Sequence, residues 1–170
     1  NRIKELISKM TLDEKIGQLN QVMLSDSEEL KKDIENGKVG SIILAETQTA
    51  GNDEQKSINK QRLDALQKIA VEKSPSGIPV IYGRDVIHGH RVVMPIPIAS
   101  AASFNPDSIT EAYRYVAKDA ANDGVNWTFS PMMDISRDPR WGRCVEGFGE
   151  DPYLASKMAV ASIKGFQGDD

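Results

Sequence analysis

Three short apolar runs, at residues 39–44, 78–82 and 125–130, each lead into a long loop and then a stretch of helical spacing. Strand then helix, repeated at intervals of about 40 to 50 residues, predicts an α/β fold with a parallel sheet and right-handed helical crossovers. The long, chemically dense loops follow the C-terminal ends of the runs and the returns are short, the asymmetry of a βα barrel or a doubly wound sheet. No GxGxxG and no GxxxxGK[ST] follows a strand, which favours the barrel. A closed (β/α)8 barrel takes roughly 250 residues. The 170 residues here are therefore expected to form the first part of one, incomplete, with an apolar strand edge open unless further protein covers it.

The elements read as follows. Ile3, Leu6, Ile7 and Met10 share one face of a short helix. Thr11 with Glu14 is a capping-box pattern, and Ile16 and Leu19 are expected as the buried stripe of a second helix. Ser25 with Glu28 repeats the device, Leu30 and Ile34 form the next apolar stripe, and Gly37 stands where a left-handed cap is expected. The VGSIIL run at 39–44 is β-branched and suits a strand covered on both faces. From about Asp53 to Lys73 a helix is expected on Ile58, Leu66, Ile69 and Ala70, stopped by Pro75 and Gly77. The strand at 78–82 tolerates Pro79 only at its entry. The loop after it is too apolar for a plain connector. Asn105 and Pro106 then open a helix on Ile109, Tyr113, Val116, Ala117 and Ala120 that ends at Gly124. Asp151 and Pro152 open the closing helix on Ala155, Met158, Ala159, Ile163 and Phe166.

Composition bounds the function. Hydrophobic residues are 39% and charged ones 27%, and no apolar run approaches the roughly 20 residues of a membrane helix. A net charge of -4 with mixed signs argues against a phosphate backbone as partner. Neither nucleic acid nor membrane is an expected partner. The single cysteine, Cys144, excludes an internal disulfide. The start at Asn1 carries no charged n-region and apolar h-region, so any signal segment is expected to have been removed or never to have belonged.

The densest chemistry lies at 132–151, MMDISRDPRWGRCVEGFGED. Asp134, Asp138, Glu146, Glu150 and Asp151 stand against Arg137, Arg140 and Arg143, and Trp141 and Phe148 need cover. Two readings are open: a ligand site, or a knot of structural ion pairs. Asp85, just after the second strand, is an acceptor suited to two adjacent sugar hydroxyls; its bland reading is an ion pair with Arg84 or Arg91. Arg143 offers fixed planar donors to a hydroxyl or a carboxylate, or else pairs with Glu146 or Asp138. His88 and His90 lack the further His or Cys ligands of a metal site and are expected to be packed histidines hydrogen-bonded to loop backbone. Tyr113, Met132 and Met158 read as core, and Cys144 as buried filler with no activating His.

MTLDEKIGQL at 10–19, GRDVIHGHR at 83–91, MPIPI at 94–98, AASFNP at 101–106 and SRDPRWGRCVEGFGEDPYL at 136–154 together resemble glycoside hydrolase family 3 nearly end to end. Met94 and Ser100 depart from it, where a larger aromatic and a glycine are expected. The resemblance implies the TIM-like N-terminal domain of a bacterial β-glucosidase acting by the retaining route, with an aspartate nucleophile and a second acid that protonates the leaving oxygen. By the same resemblance Asp85 and Arg143 are sugar-binding residues. The nucleophile, the acid/base glutamate and a sugar-gripping Lys-His pair are then expected beyond Asp170, in the rest of the barrel and a second domain. The substrate implied is a β-glucoside or oligosaccharide, with no cofactor and no metal. Two alternatives stay open: an N-acetylglucosaminidase of the same family, and a noncatalytic half-barrel that binds sugar or assembles with a partner. Export to the periplasm or medium is implied by resemblance only; the sequence leaves the compartment, the linkage preferred and the oligomeric state open.

Overall fold

The computed structural model describes residues 2–45 and 60–168. Its elements run α1 (Arg2–Lys9), α2 (Leu12–Gln18), β1 (Gln21–Met23), α3 (Glu28–Glu35), β2 (Ser41–Ile43), α4 (Lys60–Glu72), β3 (Ile81–Arg84), α5 (Pro97–Ala101), α6 (Pro106–Asn122), β4 (Trp127–Thr128), a 3-10 turn (Cys144–Glu146) and α7 (Pro152–Gln167). The strands lie in one sheet in the order β1-β2-β3-β4. Gln21 faces Ser41 and Ser41 faces Ile81, both pairings parallel. The fold is α/β, and parallel strands laid down in chain order with helices between them are the first part of a (β/α)8 barrel.

The described residues fall into two compact units. In the first, β2 is buried on both faces, with Ser41 and Ile42 both inaccessible, as the VGSIIL run demanded. Leu30 and Ile34 of α3 and Leu63, Leu66 and Ala70 of α4 turn their apolar faces inward. Asn126 extends the ladder beside β3: its N–H donates to Tyr82 O at 3.1 Å, and its Oδ1 accepts from Tyr82 N at 2.8 Å. The α2 capping box forms as read, with Thr11 Oγ1 accepting from Glu14 N and Glu14 Oε2 accepting from Thr11 N. In the second unit α6 and α7 pack through Ile109, Tyr113, Ala155, Met158, Ala159 and Ala161, with Phe148 closing the cluster. Their starts are fixed by Asn105, which accepts from Ser108 N, and by Asp151, which accepts from Leu154 N at 2.7 Å, each followed by proline.

Several expectations are corrected. The sheet has four strands among the described residues, since β1 is too short and too polar for a buried run to reveal it. β3 begins three residues later than 78–82 and takes in Gly83 and Arg84, while β4 keeps only two residues of 125–130. Ile16 and Leu19 are 56% and 87% exposed; the buried residue of α2 is Gly17, because the backbone at Gly37 sits where a side chain would go. The α1 face of Ile3, Leu6 and Ile7 is exposed too. The α3 cap is Ser27, which accepts from Leu30 N, while Ser25 only hydrogen-bonds Ser27. Ala117 and Ile163 are half-buried, and the Asp53 to Ile58 stretch lies outside the described residues.

Gly165 shows how closely the second unit is packed. A Cβ there would stand 2.6 Å from Thr110 O and 2.8 Å from Tyr113 Cβ, so α7 must move away from α6 to admit one. Overpacking of this kind costs about 1 to 3 kcal/mol, against a helix-propensity gain of about 1 kcal/mol for Ala over Gly. Gly165→Ala is therefore expected to lower stability in denaturant titration, by up to about 2 kcal/mol; an unchanged or raised midpoint would show that the helices are not in this contact.

Candidate functional site

β3 hands the chain directly to Asp85, and the loop beyond is held by its own backbone. Asp85 Oδ1 accepts from Ile87 N at 2.9 Å in a side-chain turn, and the side chain lines the cleft described below. Gly89 N donates to Val86 O at 2.9 Å and Met94 N to His88 O at 2.8 Å. Gly89 has φ +94 and a Cβ there would stand 2.0 Å from Val92 O, so only glycine permits this turn. Buried Val86 and Ile87 anchor it beneath.

The second contributor is the loop before α7. Ser136 N donates to Gly149 O at 3.1 Å, closing the loop at its base, and Phe148, 2% exposed, pins it to the core. The 3-10 turn then presents Arg143 and Glu146, joined by Nε donating to both Glu146 oxygens at 3.1 Å and by Nη2 donating to Oε2. The fork holds the guanidinium in one plane, and Nη1 hydrogen-bonds no described residue.

Asp85, Ile87, His88, Gly89, Arg143 and Glu146 line one cleft of about 200 Å³. Ligand pockets usually start at roughly 300 Å³, so these residues make one wall of a site rather than a whole one. Hydrogen bonding from Arg143 holds the Glu146 carboxyl below its ordinary range against the opposing effect of burial, and the charges of Arg143 and His88 add to it. The same pairing holds the Arg143 guanidinium firmly charged, and the carboxylates of Asp85 and Asp134 reinforce that. His88 Nδ1 is buried and hydrogen-bonds nothing among the described residues. A wall with the Asp85 carboxylate, a guanidinium oriented by Glu146 and one imidazole suits a neutral ligand rich in hydroxyls, which both donate and accept. A larger groove of about 690 Å³ over α6 and α7 is lined by the exposed Lys118, Lys157 and Lys164 and carries no comparable network.

The two sequence candidates, Asp85 and Arg143, are thus brought to the same cleft. Asp85 makes no ion pair among the described residues, with either Arg84 or Arg91, and Arg91 binds Asp123 instead. Arg143 does pair with Glu146, while Asp138 takes Arg140, two separate pairs with no carboxylate shared between them. Trp141 is 36% exposed, so only Phe148 of the two aromatics is covered. Cys144 is half-buried, its thiol donating to Trp141 O and Asp138 O. His90 is buried, and its ring lies 2.7 Å from the side chain of Asp123, a partner the sequence did not point to. Among the described residues no group of three His, Cys, Asp or Glu is placed to hold a metal ion.

The loops that carry Asp85 and Arg143 line one polar cleft, and the strand order is that of the first part of a (β/α)8 barrel, a fold that binds ligands at the C-terminal edge of its strands. The Glycosyl hydrolase family 3 N terminal domain matches residues 11–170, and the chain belongs to that family. It is 40% identical to a periplasmic beta-glucosidase of Salmonella typhimurium over 98% of its length, which is 20% of that protein. It is 33% identical to a lysosomal beta glucosidase of Dictyostelium discoideum, again over 98% of the chain and 22% of the relative. A beta-glucosidase from Listeria innocua, solved in complex with glucose, superposes with a TM-score of 0.81 and 33% identity over 99% of this chain and 24% of that one. The chain therefore spans a fifth to a quarter of the length of these relatives.

Carboxylates held below their ordinary range, Glu146 and Asp123 among them, contribute to the acid response. Glu146 and Asp123 both have folded pKa values below their ordinary range, so each contributes stability that is complete above the unfolded pKa of about 4 and is lost as pH falls through the lower folded value. Melting temperature is expected to fall as pH drops from about 5 to about 3. Glu146→Gln should retain most of that fall, since the Arg143 side chain it pairs with is 57% exposed and solvent weakens the pair. A melting temperature that rises over this interval would contradict the assignment.

Proposed function

We propose that this chain forms the sugar-gripping part of a retaining β-glucosidase that removes terminal nonreducing β-D-glucosyl residues. The observation that carries the reading is the convergence of Asp85, His88, Arg143 and Glu146 on one cleft just past the strand ends. In it Asp85 accepts hydrogen bonds from two hydroxyls of the bound glucose, and Arg143, oriented by Glu146, donates to a third sugar oxygen. The relatives named as beta-glucosidases, and the Listeria protein crystallised with glucose, support this choice of sugar.

The nucleophilic aspartate and the acid/base come from protein outside these residues, in the remainder of the barrel and a second domain that together close the site. The described residues then bind and orient the glucosyl ring while the covalent glycosyl-enzyme forms and is resolved by water. No described helix is long and apolar enough to cross a membrane. An extracytoplasmic location belongs to the proposal, on the strength of the Salmonella relative's periplasmic name.

The isolated 170 residues are expected to show no turnover of 4-nitrophenyl β-D-glucopyranoside above a buffer blank. Turnover abolished by Asp85→Ala would overturn the division of labour. In the full-length protein Asp85→Ala removes two hydrogen bonds to a charged acceptor, each worth roughly 1.5 to 3 kcal/mol. kcat/KM should therefore fall at least about a hundredfold. Asp85→Asn keeps one acceptor oxygen and should also lose most activity. Near-wild-type kcat/KM with a lowered melting temperature would instead mark Asp85 as a structural residue.

A further inference from the structure

Asp123 sits at the C-terminal cap of α6 and is 8% exposed. Neither circumstance favours a carboxylate: the helix dipole there prefers a cation, and burial opposes charge. What Asp123 has instead is a set of partners drawn from two consecutive residues of the loop after β3. Its Oδ2 lies 2.7 Å from His90 Nε2 and accepts from Arg91 Nε at 2.9 Å, and its Oδ1 accepts from Arg91 Nη2 at 2.6 Å. One helical turn earlier, Asp119 Oδ2 accepts the backbone N–H of Arg91 at 2.9 Å. The end of α6 therefore holds His90 by its ring and Arg91 by both its side chain and its backbone.

Little slack separates this clamp from the cleft. His88 and Gly89, the two residues just before His90, line the cleft with Asp85 and Arg143. His88 O accepts from Met94 N, Gly89 bridges to Val93, and Asp85 is tied to Ile87 N. A shift at His90 is passed toward His88 and Asp85 through a short run whose backbone is tied at Ile87, His88 and Gly89. Ionic networks, buried or partly exposed like this one, are weak sources of net stability compared with apolar packing, so it is better accounted for by the geometry it enforces.

We infer that Asp123 is a positioning residue for the sugar site: by clamping His90 and Arg91 to the end of α6, it fixes the loop that presents Asp85 and His88 to the ligand. The inference rests on the reading of the cleft as a glucose site. Asp123 touches no ligand itself and acts through the loop.

The test uses the full-length protein with Asp123→Asn and, separately, Arg91→Met. The Arg91 side chain is 56% exposed, so removing its charge leaves the core intact. For each variant KM for 4-nitrophenyl β-D-glucopyranoside is expected to rise at least about fivefold with kcat changed less than about twofold, because ground-state grip on the ring is loosened while the reacting groups are elsewhere. Glucose as a competitive inhibitor should weaken by the same factor. Amide hydrogen exchange at Gly89 and Met94 should speed up while α7 keeps its protection. Met158→Ala serves as the control: buried in the α6 and α7 core, it is expected to lower the melting temperature and leave KM unchanged. A KM within about twofold of the parent, or unchanged exchange at Gly89 and Met94, in a folded variant overturns the inference. Should Asp123→Asn not fold, Arg91→Met decides it alone. Should Asp85→Ala keep its activity, the glucose reading fails, and the exchange result still decides the clamp.

Discussion

The ladder hydrogen bond from Leu44 N to Gly83 O, 2.8 Å long, sets where the chain leaves the sheet. Two residues beyond that carbonyl the side chain is Asp85, and a register slip of one residue between β2 and β3 would turn every side chain of β3 to the opposite face. The ladder is secured from below by the burial of Ile42 and Leu44, each worth roughly 1.5 to 3 kcal/mol, far more than any surface contact of the loop itself. The end of β3, from which the chain runs on to Asp85, is thus fixed by apolar burial in the sheet.

The second contributor is fixed by a different means. Phe148, buried under the 3-10 turn, and the cap of α7 at Asp151 bracket the loop that carries Arg143 and Glu146. Between them Gly147 lies close under Asp134 O and Ser136 Oγ, at 3.1 and 3.2 Å from where a Cβ would stand. Anchoring a charged loop by one aromatic and one helix start lets its tip stay polar, and the exposed pair of Arg140 with Asp138 contributes little beyond solubility. The clamp at Asp123 does for the other loop what Phe148 does here, with ionic rather than apolar contacts.

Much of this was legible in the sequence. The alternation of strands and helices apart from β1 and α5, the caps at Thr11, Asn105 and Asp151, the buried stripe of α3 and most of that of α6, and the placing of Asp85 and Arg143 after strands follow from local rules that the structure obeys. The exposure of Ile16, Leu19 and the α1 face was not legible, because periodicity says that a face is apolar and not that it is covered. β1 escaped because three residues flanked by helix ends carry no periodic signal. The pairing of His90 and Arg91 with Asp123 joins residues more than thirty apart and could not be read from either segment. Its one trace was an acidic residue just before Gly124 at the end of a helix, where the dipole favours a base. The resemblance to family 3 rested on the loop signatures, which are the segments least predictable from propensity and most tied to chemistry.

The central claim is that Asp85 grips the sugar directly. A crystal structure of the full-length protein soaked with glucose tests it most directly. The account predicts that both Asp85 carboxylate oxygens lie about 2.5 to 2.7 Å from two adjacent hydroxyls of one glucose ring, with Arg143 still held by Glu146 at the edge of the same ring. A glucose bound in the site with Asp85 more than about 4 Å from every sugar oxygen, or with Asp85 turned to an arginine of its own loop, would contradict it.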